Sequence, residues 1–132
     1  MAIPASHQDL FERESFAHFA TLMPDGTPQV TPVWIDSDDG DVLVNTARGR
    51  RKERNVEADP KVGLSILDPD DPYRYVSIRG EVADVTEEGA VEHIDELARR
   101  YMDVEEYPHH GDEDGERVIV RIEVAGVATG GE

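Results

Sequence analysis

The chain contains no cysteine, which excludes disulfide bonds and thiolate metal sites. No apolar run approaches the roughly 18 residues that a membrane-spanning helix needs, so no membrane partner is expected. Residues 1–6 carry no basic region followed by a long apolar stretch, and a signal peptide is therefore not expected. Together these absences predict a cytoplasmic protein.

Positive charge is also scarce. Thirteen Lys and Arg face 30 Asp and Glu, which gives a formal net charge of −17. A phosphate backbone requires a basic surface, so nucleic acid is not an expected partner. The acidic residues are spread over nearly every segment, and we interpret them as a solvent adaptation of the halophilic kind, since salt screens their self-repulsion. A basic partner is the alternative, but such a partner is usually met by one contiguous acidic block.

The length of 132 residues predicts one domain, residues 1–132. Apolar and β-branched segments separated by turn residues predict a mainly β fold, a six-stranded antiparallel barrel that is closed or partly closed. The predicted strands are 16–23, 29–36, 41–46, 62–67, 73–85 and 116–129, the first three as a meander. Short helices are predicted near residue 10 and over 50–58 and 87–102, and Gly80 predicts a bulge or a close backbone approach.

Five of the 13 cationic side chains lie within seven residues: Arg48, Arg50, Arg51, Lys52 and Arg54. The segment joins a predicted strand to a predicted helix, whose N-terminus already carries a partial positive charge. Cations in that first turn are unfavourable unless an anion binds there, where backbone N–H groups also converge. The alternative is that these cations are exposed and balance acidic neighbours on the same helix.

The cationic segment therefore predicts a phosphate site, to which the Thr46 hydroxyl can add a donor. The chain has neither a P-loop nor the glycine pattern of dinucleotide-binding folds, which favours a mononucleotide or flavin phosphate. No nucleophile–base pair is legible, so a cofactor should carry any reaction. His109 and His110 precede an acidic loop that we interpret as solvated, and no metal site is predicted.

Residues 30–34 contain a proline inside a predicted strand, which indicates an edge or a bulge. Free backbone groups beside Pro32 can hydrogen-bond the rim of a planar heterocycle. The alternative is a bent edge strand in which Trp34 belongs to the core.

Five stretches, in their order and spacing, resemble the FMN-binding split-barrel superfamily, the pyridoxamine 5′-phosphate oxidase-like fold. They are residues 19–28, 30–34, 45–52, 59–62 and 73–82. Within that superfamily the chain is most similar to the small deazaflavin (coenzyme F420)-dependent oxidoreductases, over residues 16–127.

The resemblance implies a homodimer with two cofactor sites between the subunits. It implies that one strand offers its backbone to the isoalloxazine-like ring, at Val30, Thr31, Pro32, Val33 and Trp34. It implies a phosphate site at Thr46, Arg50, Arg51 and Lys52. Strand positions Tyr75, Ser77 and Arg79 are implied to lie near the cofactor, across the interface, and no catalytic residue is identified.

Two departures from the family pattern bear on the activity. Gln29 and Val30 stand where pyridoxamine phosphate oxidases place a phosphate-binding arginine, and the C-terminal Arg-x-His motif is absent, so pyridoxamine phosphate oxidase activity is not expected.

The preferred hypothesis is F420-dependent hydride transfer to a small conjugated substrate. The alternatives are an FMN-dependent oxidoreductase, a non-enzymatic flavin carrier or sensor, and a barrel without a ligand. The polyglutamate tail of a deazaflavin needs a basic groove, and few cations remain outside the phosphate segment to form one.

Overall fold

The computed structural model describes residues 3–109 and 115–131. A 3-10 helix over Ala5–Phe11 precedes the first strand. The strands are β1 (Phe16–Leu22), β2 (Pro28–Trp34), β3 (Asp36–Asp38), β4 (Asp41–Ala47), β5 (Lys61–Asp68), β6 (Asp71–Thr86) and β7 (Arg117–Gly130). The α-helices are α1 (Arg51–Ala58) and α2 (Ala90–Met102).

All strands join one antiparallel sheet in the order β2-β1-β5-β6-β7-β4-β3. The predicted mainly β, antiparallel class is confirmed, but the prediction of six strands is wrong because β3 is a seventh. Its Asp-Ser-Asp sequence has low strand propensity. A tight turn through Asp39 (φ 51°) and Gly40 (φ 84°) nevertheless folds it back on β4, where Asp36 pairs with Leu43.

The predicted meander of the first three strands is also wrong beyond its first hairpin. β4 pairs with β7 and β3, whereas β2 has its hydrogen-bonded partner in β1. The two edge strands, β2 and β3, are joined through a single residue, the fully buried Ile35. The sheet must therefore curl until its edges meet at that corner, which gives a half-barrel that is open between β2 and β4.

The inner face of the sheet forms the core. On β7 the alternate residues Val118, Val120, Ile122 and Val124 are all buried, as the period-2 pattern predicts. Gly80 is confirmed as a close approach: the register shifts beside it, and a Cβ there would lie 2.5 Å from the Glu123 carbonyl oxygen.

Helix α2 packs against β7 and β4 through the buried residues Ile94, Leu97 and Ala98. It begins three residues later than predicted. The Thr86 hydroxyl accepts a hydrogen bond from the Glu88 N–H (3.1 Å) in a turn, and Gly89 then precedes the helix in a left-handed conformation. Within the described ranges, no helix is long and apolar enough to cross a membrane.

Candidate functional site

A cleft of about 220 Å³ lies where the half-barrel is open. Its lining comes from strands β1, β2, β4 and β7, helices α1 and α2, and the segment after α2. The lining residues are Phe16, Pro32, Val33, Trp34, Asn45, Thr46, Arg50, Lys52, Ile94, Tyr107 and Arg117. The cleft thus brings the predicted ring-binding strand and the predicted phosphate segment together.

The predicted site residues divide between the cleft and other surfaces. Those that line the cleft are Pro32, Val33, Trp34, Thr46, Arg50 and Lys52. Val30 and Thr31 lie farther along β2, and Arg51 lies in the first turn of α1 outside the lining. Tyr75, Ser77 and Arg79 lie on the outer face of β6. Their roles in cofactor binding stay predictions.

One side of the cleft is the edge strand β2. Because β2 is bonded to β1 along one edge, alternate N–H and C=O groups on its other edge point away from the sheet. Pro32 contributes no donor to that edge. The buried Thr31 hydroxyl oxygen has no hydrogen-bond partner within the part of the chain that the structure describes. This side of the cleft offers the backbone groups of an unpaired strand edge to a planar ligand.

The Trp34 ring is held in place from α2. It stacks on the ring of Tyr101, with centroids 5.1 Å apart and planes at 13°, and Tyr107 meets it edge-on at 6.1 Å. The Tyr101 hydroxyl accepts a hydrogen bond from the Ile35 N–H (3.1 Å) and donates to the Ser15 carbonyl oxygen. Burial raises the pKa of Tyr101, so the hydroxyl keeps its proton and this clamp persists at neutral pH.

The opposite side of the cleft is cationic and comprises Arg50, Lys52 and Arg117. Burial lowers the pKa of Lys52, and the positive charges of Arg50 and Arg117 lower it further. Thr46 is 2% exposed and lines the same cleft, and its hydroxyl has no hydrogen-bond partner among the described residues. Three converging cations that repel one another, beside an unused hydroxyl, fit a bound anion such as phosphate.

Arg48 belongs to a different arrangement. Its guanidinium contacts Glu53 (3.3 Å), Glu57 (2.9 Å) and Glu87 (3.1 Å). Glu53 also accepts a hydrogen bond from the Gly49 N–H at 2.9 Å, which satisfies a donor at the start of α1. The alternative interpretation, cations that balance acidic neighbours, therefore holds for Arg48.

The sequence prediction missed Arg117, the third cation of the cleft. Arg117 is 6% exposed, pairs with Ala47 across the β4–β7 ladder, and donates from Nε to Asn45 Oδ1 (2.9 Å). Its guanidinium carbon lies 5.2 Å from the centre of the Tyr107 ring. No local motif marks this arginine. The signal that could have found it is the strand pairing, which places it beside Thr46.

The outer face of β1, β5 and β6 is a second surface of interest, because it carries large exposed apolar side chains. Phe16 is 54% exposed, Leu67 41% and Tyr75 36%. Leu67 and Tyr75 are directly paired across the β5–β6 ladder. The Tyr75 ring lies so close over Gly130 that a Cβ there would come within 2.3 Å of a ring carbon. These side chains form an exposed apolar surface, and one of them, Phe16, also lines the cleft.

Over residues 3–109 and 115–131, no group of three or more His, Cys, Asp and Glu side chains could hold a metal ion. His110 and residues 111–114 lie outside the described residues. The interpretation of that loop as solvated stays a prediction.

The family model of pyridoxamine 5′-phosphate oxidase matches residues 3–129. The match covers nearly the whole chain, so the protein belongs to the pyridoxamine 5′-phosphate oxidase family, as its sequence motifs predict. Membership of this family, together with the structural neighbour described next, points to a flavin-type oxidoreductase.

A solved F420 reductase is 33% identical to the chain with a TM-score of 0.82, and the match covers 96% of this chain and 98% of the reductase. A conserved hypothetical protein from Mycobacterium tuberculosis is 26% identical (TM-score 0.77), with 98% and 85% covered. General Stress Protein 26 from Bacillus anthracis, 16% identical (TM-score 0.67; 92% and 88% covered), shares the fold. No curated protein matches the chain.

Proposed function

We propose that the protein binds coenzyme F420 in the cleft and catalyses hydride transfer between this cofactor and a small conjugated substrate. The observation that carries the proposal is the cleft itself. Arg50, Lys52, Arg117 and the unused Thr46 hydroxyl converge on one side, and an edge strand with Trp34 forms the other. A ligand with an anionic group joined to a planar ring matches both sides at once.

The likeness to an F420 reductase supports the choice of the deazaflavin. The bound deazaflavin would supply the hydride chemistry. The chain's own residues bind and orient: Arg50 and Lys52 hold the anionic group, and the β2 edge aligns the ring. The aromatic side chains Trp34 and Tyr107 limit access of water to the cleft.

FMN is the second candidate cofactor, because half of the ten cations outside the cleft lining are already paired with carboxylates and so offer little to a polyglutamate tail. Arg13, Arg48, Arg74, Arg100 and Arg121 are each engaged with carboxylates. FMN carries the same ring–phosphate combination without a tail, so it needs only the cations that already line the cleft. Under this alternative the chain is an FMN-dependent oxidoreductase.

We further propose a homodimer in which the outer face of β1, β5 and β6 meets its copy. The apolar side chains Leu67 and Tyr75 on this face favour burial against another protein surface. Because Phe16 contributes both to this face and to the cleft, the dimer would bring Ser77 and Arg79 of one protomer toward the cofactor of its partner.

A fluorescence titration with F420 and FMN, and with riboflavin as the phosphate-free comparison, tests the cofactor. We expect binding of F420 or FMN and much weaker binding of riboflavin. Arg50→Ala combined with Lys52→Ala should weaken binding at least about 100-fold, at roughly 1.5–3 kcal/mol per charged hydrogen bond. Arg51→Ala is the matched control for each of the two single variants, since it removes one positive charge from the same helical turn outside the cleft lining.

An unchanged dissociation constant in the double variant would refute the anion site. Equal losses of affinity in the double variant and in Arg51→Ala would show that only the overall charge of the protein matters. A protein that binds neither F420 nor FMN would exclude the proposed function. Turnover of reduced F420 with a panel of quinones and enones then separates an enzyme from a carrier, since a carrier binds the cofactor without oxidising it.

A further inference from the structure

A partly buried series of hydrogen-bonded side chains runs from β3 through α2 to the cationic side of the cleft. His93 on α2 is 7% exposed, and its Nε2 lies 2.9 Å from Asp36 Oδ2. Its Nδ1 lies 3.1 Å from the amide nitrogen of Asn45, whose oxygen accepts the hydrogen bond from Arg117 Nε at 2.9 Å. The series therefore connects Asp36 to Arg117 through three consecutive hydrogen bonds.

Donor and acceptor chemistry fixes the direction of each bond. Arg117 Nε can only donate, so the Asn45 atom facing it is the oxygen, and the Asn45 nitrogen faces His93 and the Ala90 carbonyl oxygen (2.8 Å). An amide nitrogen also can only donate, so His93 Nδ1 accepts. The imidazole proton therefore lies on Nε2 and is donated to Asp36.

Asn45 has a complete set of partners in this arrangement. Both amide hydrogens are used, one by Ala90 and one by His93, and the oxygen receives Arg117. A flip of the amide would place a nitrogen against Arg117 Nε and an oxygen against the Ala90 carbonyl, and both contacts are repulsive. The orientation of the arginine thus depends, through Asn45, on His93 and Ala90, which do not themselves line the cleft.

Asp36, at the other end of this hydrogen-bonded series, is also held by several partners. Arg100 donates to Asp36 Oδ1 (3.1 Å) and to the Ile35 carbonyl oxygen (2.9 Å). Burial alone would raise the pKa of Asp36, but hydrogen bonds from His93 and Arg100 outweigh it and lower the pKa. Asp36 therefore remains a carboxylate that orients the imidazole of His93.

We propose that His93 is a positioning residue: through Asn45 it holds the Arg117 guanidinium on the cationic side of the cleft. The significance for cofactor binding rests on the proposed function, whereas the positioning itself does not. Since Arg117 is anchored at Nε, its terminal nitrogens have a restricted orientation before any ligand enters the cleft. Such pre-organisation lowers the entropic cost of binding an anion.

The Arg117 Nε–H resonance in nitrogen-edited NMR tests the positioning without a ligand. We expect slow exchange of this proton with water in the wild type and in His93→Gln, whose side-chain amide can accept from Asn45 and donate to Asp36. His93→Leu should shift the resonance and accelerate exchange. His7→Leu is the matched control: His7 is also a buried, hydrogen-bonded histidine, and its replacement should leave the resonance unchanged. An Arg117 resonance that is the same in His93→Leu and the wild type would overturn the proposal.

A double-mutant cycle measures the consequence for binding, with FMN and inorganic phosphate as probes. We expect His93→Leu to weaken binding about tenfold and His93→Gln to restore most of it. Once Arg117→Met is present, adding His93→Leu should cause no further loss. If the fold-losses of affinity in the two single variants multiply in the double variant, His93 and Arg117 act independently, and the coupling is overturned. If the wild type binds neither FMN nor F420, the proposed function fails, and the NMR result still decides the role of His93.

Discussion

Two clusters of cations in this acidic chain differ in the neighbours that the structure shows for them. In the ion-pair cluster, Arg13 and Arg74 bind three carboxylates: Asp68 contacts Arg74 at 2.8 Å and Arg13 at 3.1 Å, Asp9 contacts both arginines, and Asp70 contacts Arg13. In the cleft cluster, Arg50, Lys52 and Arg117 face one another and the unused Thr46 hydroxyl.

The pKa shifts of one residue in each cluster, Asp68 and Lys52, show how the two clusters differ. The backbone N–H of Asp70 and the guanidinium of Arg74 lower the pKa of Asp68 to about 2, so the ion-pair cluster favours its charged state. Burial and neighbouring cations lower the pKa of Lys52, so the cleft disfavours the charged form of this lysine. The ion pairs of the first cluster stabilise the fold, whereas the charge on Lys52 carries a cost that a bound anion would offset.

Removing one positive charge from each cluster should give the largest contrast. Arg74→Met leaves Asp9 and the nearly buried Asp68 short of a partner, and we expect Tm to fall by about 5 °C. Lys52→Met removes a repelled cation and keeps the apolar stem, so Tm should stay level or rise by about 1–2 °C. Thermal unfolding at pH 7 without ligand measures both. Equal destabilisation by the two variants would show that the cleft cations are structural.

Acid should act on the ion-pair cluster through Asp68. Its folded-state pKa of about 2 lies below the usual value of 3.8, so the unfolded chain takes up the proton first. The stability that this carboxylate contributes is present above pH 4 and is lost as pH falls toward 2.

Asp68→Asn should lower Tm at pH 7 by a few degrees and flatten its fall between pH 4 and pH 2. A pH series of thermal unfolding curves measures this, with Asp84→Asn as the control. Asp84 is exposed, and the structure shows no side-chain hydrogen bond for it among the residues it describes. Parallel Tm–pH curves for wild type and Asp68→Asn would contradict the role assigned to this carboxylate.

Local signals explain what could be predicted from the sequence. The alternation on β7, the bulge at Gly80 and the cationic start of α1 each depend on residues close in the chain. The order of five such segments was enough to predict the family, and with it the location of the cleft between β2 and α1.

The rest depends on contacts between distant segments. Asn45 and Arg117 are 72 residues apart and meet only because β4 pairs with β7, a pairing that turn signals alone cannot predict. Charge pattern likewise could not assign Arg48 to an ion-pair arrangement in full, since one of its three carboxylate partners, Glu87, approaches from the turn before α2. β3 was missed because backbone pairing to β4, rather than its own side chains, makes it a strand.

Salt should act on the fold as a whole and on the two clusters in different ways. If the net charge of −17 is a solvent adaptation, raising KCl from about 0.1 to 1 M shortens the screening length from about 10 to 3 Å and relieves self-repulsion. We expect Tm of the wild type to rise by a few degrees. The Tm difference between wild type and Arg74→Met should change little, because its ion pairs are in direct contact.

Binding of an anion to the cleft should respond in the opposite direction, since salt also screens the attraction between Arg50, Lys52 and a phosphate. The same salt series, followed by fluorescence for the cofactor and by thermal unfolding for the fold, therefore separates the two effects. A Tm that stays flat or falls with salt would exclude the solvent interpretation of the acidic surface. Affinity that does not weaken with salt would instead count against a charge-based anion site, because cations that contribute binding energy must lose part of it when screened.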